Sequence, residues 1–166
     1  MIRRLALVSV LVVTGALTFT EKANAQSVDI DFNGEVPNSC TINKISDGVL
    51  SPIDRNVIDA NNSRGQFLVN CLGSATVTIS NPVGTTPTAT NYAALLGTET
   101  LAELWDAPTG GTFLADSQGM FGGTSHDAVS NGTDVPLYVN IFTRNFSTPL
   151  PVGTYGFRTT VTVNPL

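Results

Sequence analysis

Chemistry in this chain of 166 residues has few side chains to draw on: one histidine, two cysteines, 13 acidic and 8 basic residues. Ser125, His126 and Asp127 follow one another and include the residue types of a nucleophile, a base and an orienting acid. A triad is defined by geometry, not by adjacency, and this run stands in a Gly/Ser-rich stretch. It therefore reads as a solvated loop, and no catalytic residue and no enzyme activity are expected. Asp29, Asp31 and Glu35 are candidates for paired carboxylates or for weak calcium binding. They alternate with apolar residues, which makes them more simply the wet face of a strand. One His and two Cys are too few for a Cys/His zinc centre, so no metal and no small-molecule cofactor are expected. Trp105, with Tyr92 nearby, has the type to stack on a sugar ring, but a lone Trp reads as core. The net charge of −5 is the wrong sign for a protein that neutralises phosphates, so nucleic acid is not an expected partner.

The elements that must position these residues follow from composition and pattern. Only 13% of the chain is charged, and 15 Gly and 9 Pro punctuate it, which disfavours a charged helical bundle and favours a turn-rich all-β domain. Arg3 and Arg4 precede an apolar run from Leu5 to Leu17, and Ala23-Asn24-Ala25 has the form of a signal-peptidase site. Residues 1–25 are thus expected to be a signal peptide cleaved between Ala25 and Gln26. The alternative is an uncleaved anchor or buried helix, although the run is shorter than the roughly 20 residues that span a bilayer. Without the leader, residues 26–166 carry 5 basic and 12 acidic groups, net −7. Export through an oxidising periplasm would let Cys40 and Cys71 pair; two free buried thiols are the alternative.

Val28, Ile30, Phe32, Gly34 and Val36 alternate with polar residues, the period of a strand with one apolar face. Further strands are expected at Cys40–Ile45, Gln66–Cys71, Ala75–Ser80, Val135–Arg144 and Gly153–Asn164. Within Tyr92–Asp106, Leu95, Leu96, Leu101 and Leu104 could line a short helix, but the favoured reading is a hairpin from Leu101–Asp106 to Thr112–Ala115. Asp54–Gly65, Pro82–Thr90 and Gln118–Thr133 read as loops or exposed connections. About seven short strands in one domain over residues 26–166 point to a β-sandwich.

Phe32-Asn-Gly-Glu-Val36 with Cys40 four residues later, Asn70-Cys71, and Leu150-Pro-Val-Gly-Thr-Tyr155 leading into Thr159-Thr-Val-Thr-Val163 resemble the pilin subunits of chaperone-usher fimbriae and the related spore coat protein U family. The resemblance implies an immunoglobulin-like sandwich lacking its last strand and a Cys40–Cys71 disulfide. It makes Val28, Ile30, Phe32, Gly34 and Val36 a donor strand, and Gly153, Tyr155, Phe157, Val161 and Val163 the C-terminal strand and acceptor groove. Gly153 is fourteenth from the C-terminus, as in many such pilins, whereas Pro165 stands where they carry an aromatic. That departure, and the 14 residues between the cleavage site and Cys40, fit the coat-protein-U-like branch or a subunit whose N-terminal strand serves its own sheet. The implied function is a structural subunit of a fimbria or surface coat, assembled by donor-strand exchange and mediating adhesion. Its implied partners are a periplasmic chaperone, an outer-membrane usher and other pilin-like subunits. The alternative is a self-complete secreted adhesin or carbohydrate-binding module.

Overall fold

The alternation at Phe67, Val69 and Cys71 places all three side chains in the interior, and the neighbouring strands build outward from them. The computed structural model describes residue 31 and residues 39–166. The leader with its Ala25–Gln26 junction, and Val28, Ile30, Phe32, Gly34 and Val36, lie outside the described residues. The strands are β1 (Ser39–Ser46), β2 (Ser51–Pro52), β3 (Val57–Asp59), β4 (Gly65–Leu72), β5 (Ser74–Ile79), β6 (Val83–Gly84), β7 (Thr98–Trp105), β8 (Phe113–Asp116), β9 (Ser125–Val129), β10 (Val135–Asn145), β11 (Phe157–Arg158) and β12 (Val161–Pro165). One helix, α1 (Pro87–Ala93), stands between β6 and β7. The chain is all-β, with antiparallel sheets in a sandwich-like arrangement compatible with an immunoglobulin-like fold.

The long strand β10 is the hub of the larger sheet. Along one edge it pairs first with β4 and then with β3, and along the other with β7. Beyond these lie β1, β2 and β8 respectively. The second sheet runs β12-β5-β9, and β11 pairs with β6. The core fills the space between the sheets: Phe67, Val69, Cys71, Leu104, Ala115 and Leu137 meet Ala75, Val77 and Ala128. Burying a Val or Leu side chain contributes about 1.5–3 kcal/mol, so the alternating strands β4, β5 and β10 carry much of the stability.

Four sequence expectations need correction. Asp54–Gly65 contains β3, and Gln118–Thr133 contains β9 with His126 on it, paired to Val77 of β5. Both strands are short, and their stability comes from the neighbour they pair with. Pro82–Thr90 contains β6 and the start of α1, where Thr86 caps the first turn and Pro87 occupies it, an arrangement in which the missing proline N–H costs nothing. Finally, Gly153–Asn164 is not one strand. It splits into β11 and β12, and Ser80 bridges the break, accepting from Thr159 Oγ1 (2.6 Å) and, through its own Oγ, from Thr160 N (2.9 Å).

Asp116 organises the loop after β8. Its buried carboxylate accepts from the backbone N–H of Gln118 (2.7 Å), Met120 (3.1 Å) and Phe121 (2.9 Å). Burial alone would raise its pKa, but the backbone donors outweigh it and hold the pKa below the ordinary carboxylate value. A depressed folded pKa stabilises the fold above the unfolded value, near 4, and this stabilisation is lost as pH falls through the folded value. Asp116→Asn is expected to cost about 1–3 kcal/mol at neutral pH and to flatten the acid limb of a plot of Tm against pH. An unchanged acid limb in the variant would exclude Asp116 as a source of that dependence.

Candidate functional site

Hydrogen-bond parity in the two sheets shows where backbone is left unserved. Ser80 N donates to Thr160 O, and Leu166 N donates to Ser74 O, so the even residues of β12 face β5 in the antiparallel ladder. Residues i and i+2 face the same side. Val161 and Val163 therefore turn their backbone groups away from β5. In β4, Cys71 O accepts from Gly132 N, and Cys71 N donates to Ser130 Oγ. Cys71 thus serves the side away from β1, and the odd residues of β4 pair with β10. It follows that Cys40, Ile42 and Lys44 of β1 present their backbone groups to the open side. Among the described residues β1 pairs with β4 alone and β12 with β5 alone.

Between these two edges lies a groove of about 940 Å³. Ile42 and Lys44 form one wall, Tyr155, Phe157 and Val161 the other, and Phe67, Val139 and Ile141 line it from the interior faces of β4 and β10. The chain turns at Asp47-Gly48, also part of the lining, where Gly48 packs so close to Gly65 that a Cβ would stand 2.8 Å from its backbone nitrogen. Ile42 is 43% exposed, and Tyr155, Phe157, Val161 and Ile141 are half-buried. An apolar trough bounded by unpaired backbone offers the edge groups and the side-chain pockets that β-strand addition uses.

The strands bounding the groove run in opposite directions. Cys40 pairs with Cys71, and Pro165 with Ala75, so β1 begins at the end of the sandwich where β12 finishes. An inserted strand must therefore run parallel to one and antiparallel to the other. Pro165 falls in the odd set, so its lack of an N–H ends the row of donors along β12 at Val163. The Cys40–Cys71 disulfide ties β1 to β4 at that same end.

The expected groove residues are thus partly brought together. Tyr155, Phe157 and Val161 line the groove, while Val163 packs beside them on the core. Gly153 does not line it: a Cβ there would come within 2.5 Å of Thr88 Oγ1, so this glycine permits close packing on α1. Ile42, Val139 and Ile141 were not expected in the groove; their alternation marks an inward face, but only the sheet topology shows that no strand among the described residues covers it. Ser125, His126 and Asp127 occupy successive positions on β9, where neighbouring side chains point to opposite faces, and they form no triad. Asp31 is exposed, and Asp29 and Glu35 lie outside the described residues.

Trp105 is not core. It stands half-buried on the face of β7 opposite Ala102 and Leu104, with the Arg64 guanidinium 4.0 Å from its ring centre and Phe113 edge-on at 5.6 Å. No protein-family model matches the chain, and no curated protein matches it.

Proposed function

We propose that the chain is an exported structural subunit that assembles by strand addition, the segment 28–36 of one copy entering the β1–β12 groove of another. The observation that carries this reading is an apolar groove flanked on both sides by backbone that is unpaired among the described residues. The segment 28–36 suits the groove in length: nine extended residues span about 30 Å, against about 27 Å for the eight of β1. It suits it in pattern, since Val28, Ile30, Phe32 and Val36 share one face and Gly34 admits a close backbone approach. On this reading the protein belongs with pilin-like or spore coat protein U-like subunits of a fimbria or surface coat and mediates adhesion. A periplasmic chaperone and an outer-membrane usher serve its assembly. An open groove between unpaired edges is an aggregation hazard, which is the physical need a chaperone meets.

The test compares the chain from Gln26 with one starting at Ser39, both oxidised, by sedimentation and by gels of unboiled and boiled samples. The longer chain is expected to form boiling-resistant multimers. The shorter one is expected to stay monomeric and to gain thermal stability when a peptide of residues 26–38 is added. A longer chain that is monomeric, unfolds cooperatively and ignores added peptide would show that the segment closes its own groove and would overturn the assembly reading.

A further inference from the structure

Successive side chains of β10 point to opposite faces. Val139 and Ile141 line the groove, whereas Asn140 and Phe142 line a second cleft of about 300 Å³ on the other face of the same sheet. Asp59, Asn61, Arg64, Glu103 and Trp105 also line it. We propose that this cleft is a binding site for a neutral carbohydrate, recognised by carboxylates held in place before the ligand arrives.

The side chains of the cleft are oriented by one another. Glu103 Oε2 accepts from Trp105 Nε1 (3.1 Å) and from Asn140 Nδ2 (2.8 Å), and Asn140 Oδ1 accepts from Ala60 N (2.9 Å). Arg64, 6% exposed, stacks on Trp105, donates to Ala107 O and Gly110 O at 2.8 Å each, and reaches Asn61 Oδ1. Its hydrogen bonds are thus spent on carbonyls and a side-chain amide, while its charge acts on the carboxylates of Glu103, Asp59 and Asp106 without a direct bond to them. Three polar atoms keep no partner among the described residues: Glu103 Oε1, Asp59 Oδ2 and the buried Arg64 Nε. Two spare carboxylate oxygens held in fixed positions suit a ligand that donates several hydrogen bonds, and sugar hydroxyls do so.

The charge count selects among sugars. Asp59 and Glu103 against Arg64 leave the cleft one negative charge in excess, which repels uronic acids and sialic acid but not neutral rings. The volume admits about one or two rings, and the half-buried Trp105 and Phe142 supply apolar edges for their C–H faces. Since the cleft and the groove lie on opposite faces of the larger sheet, a strand seated in the groove leaves the cleft accessible.

Trp105 is the only tryptophan, so its fluorescence reads this cleft directly. The oxidised chain from Gln26 is titrated with glucose, galactose, mannose and N-acetylglucosamine. At least one is expected to give a saturable change with Kd on the order of 1 mM, the ceiling for so few ligand atoms. Glu103→Gln and Asp59→Asn, each shown to be folded by circular dichroism, are expected to weaken it about tenfold, as befits the loss of a bond to a charged acceptor. Glucuronate is expected to bind more weakly than glucose. A flat response to all four neutral sugars would overturn the proposal, as would unchanged affinity in both folded variants or a preference for glucuronate.

Discussion

Replacing Ile141 by lysine is expected to abolish assembly while leaving the isolated sandwich folded. Ile141 lines the groove from β10 and is only half-buried, so in the open chain the lysine ammonium can keep its water. Once a strand is seated, the ammonium would be sealed among apolar side chains. The donor's carboxylates do not help, because alternation puts Asp29, Asp31 and Glu35 on the face opposite Val28, Ile30 and Phe32. Leaving a charge buried and unpaired costs several kcal/mol, and about 4 kcal/mol corresponds to a loss on the order of a thousandfold in affinity. Thr162→Lys is the matched control: it adds the same charge to β12, but at an exposed position whose backbone faces β5. Sedimentation and boiling-resistant gels should show multimers for the wild type and Thr162→Lys and monomers for Ile141→Lys. Multimers of a folded Ile141→Lys chain at wild-type yield would remove the groove from the assembly mechanism.

Loss of the Cys40–Cys71 disulfide should have the largest effect on stability. It closes a loop with a sequence separation of 31, and the chain-entropy model assigns such a loop about 3–4 kcal/mol. In a domain of this size that corresponds to a Tm lower by about 10 °C. The structure adds where the effect should fall. Seven of the eight side chains of β1 are exposed, Cys40 being the exception, so little besides the bridge and the β4 ladder holds this strand. A double variant, Cys40→Ser with Cys71→Ser, is expected to lose amide protection in β1 before β4 or β10. It should also bind the 26–38 peptide more weakly at temperatures where the rest remains folded, because one wall of the groove has loosened. Calorimetry and hydrogen exchange measure the two effects, and uniform loss of protection across all strands would argue against a selectively tethered β1.

Strands with one fully buried face were legible from their residues alone. β4, β5 and β10 carry the period-2 pattern in side chains large enough to fill a core, and the β7–β8 hairpin was marked by Pro108-Thr-Gly-Gly111 between two apolar runs. β3 and β9 were not legible, because three or five residues set among turn-forming ones become a strand only when β10 or β5 offers them a ladder. Trp105 was read by its type as core, yet its parity sets it opposite Ala102 and Leu104, on the face it shares with Glu103. The stacking of Arg64 on that ring had no counterpart in the sequence, because the two residues are 41 positions apart and a loop brings them together.

Alternation along a strand states which side chains point up and which down, and so the sequence by itself determined the inward faces, the low charge of the sandwich and the presence of two cysteines able to meet. It carries no information about left and right. Whether the backbone of Ile42 or Val161 serves a neighbouring strand or stands open depends on which strands lie beside it, and that is settled by pairings between residues tens of positions apart. Only the tertiary structure could decide that β1 pairs with β4, that β12 pairs with β5, and that the two outer edges face each other across an apolar groove.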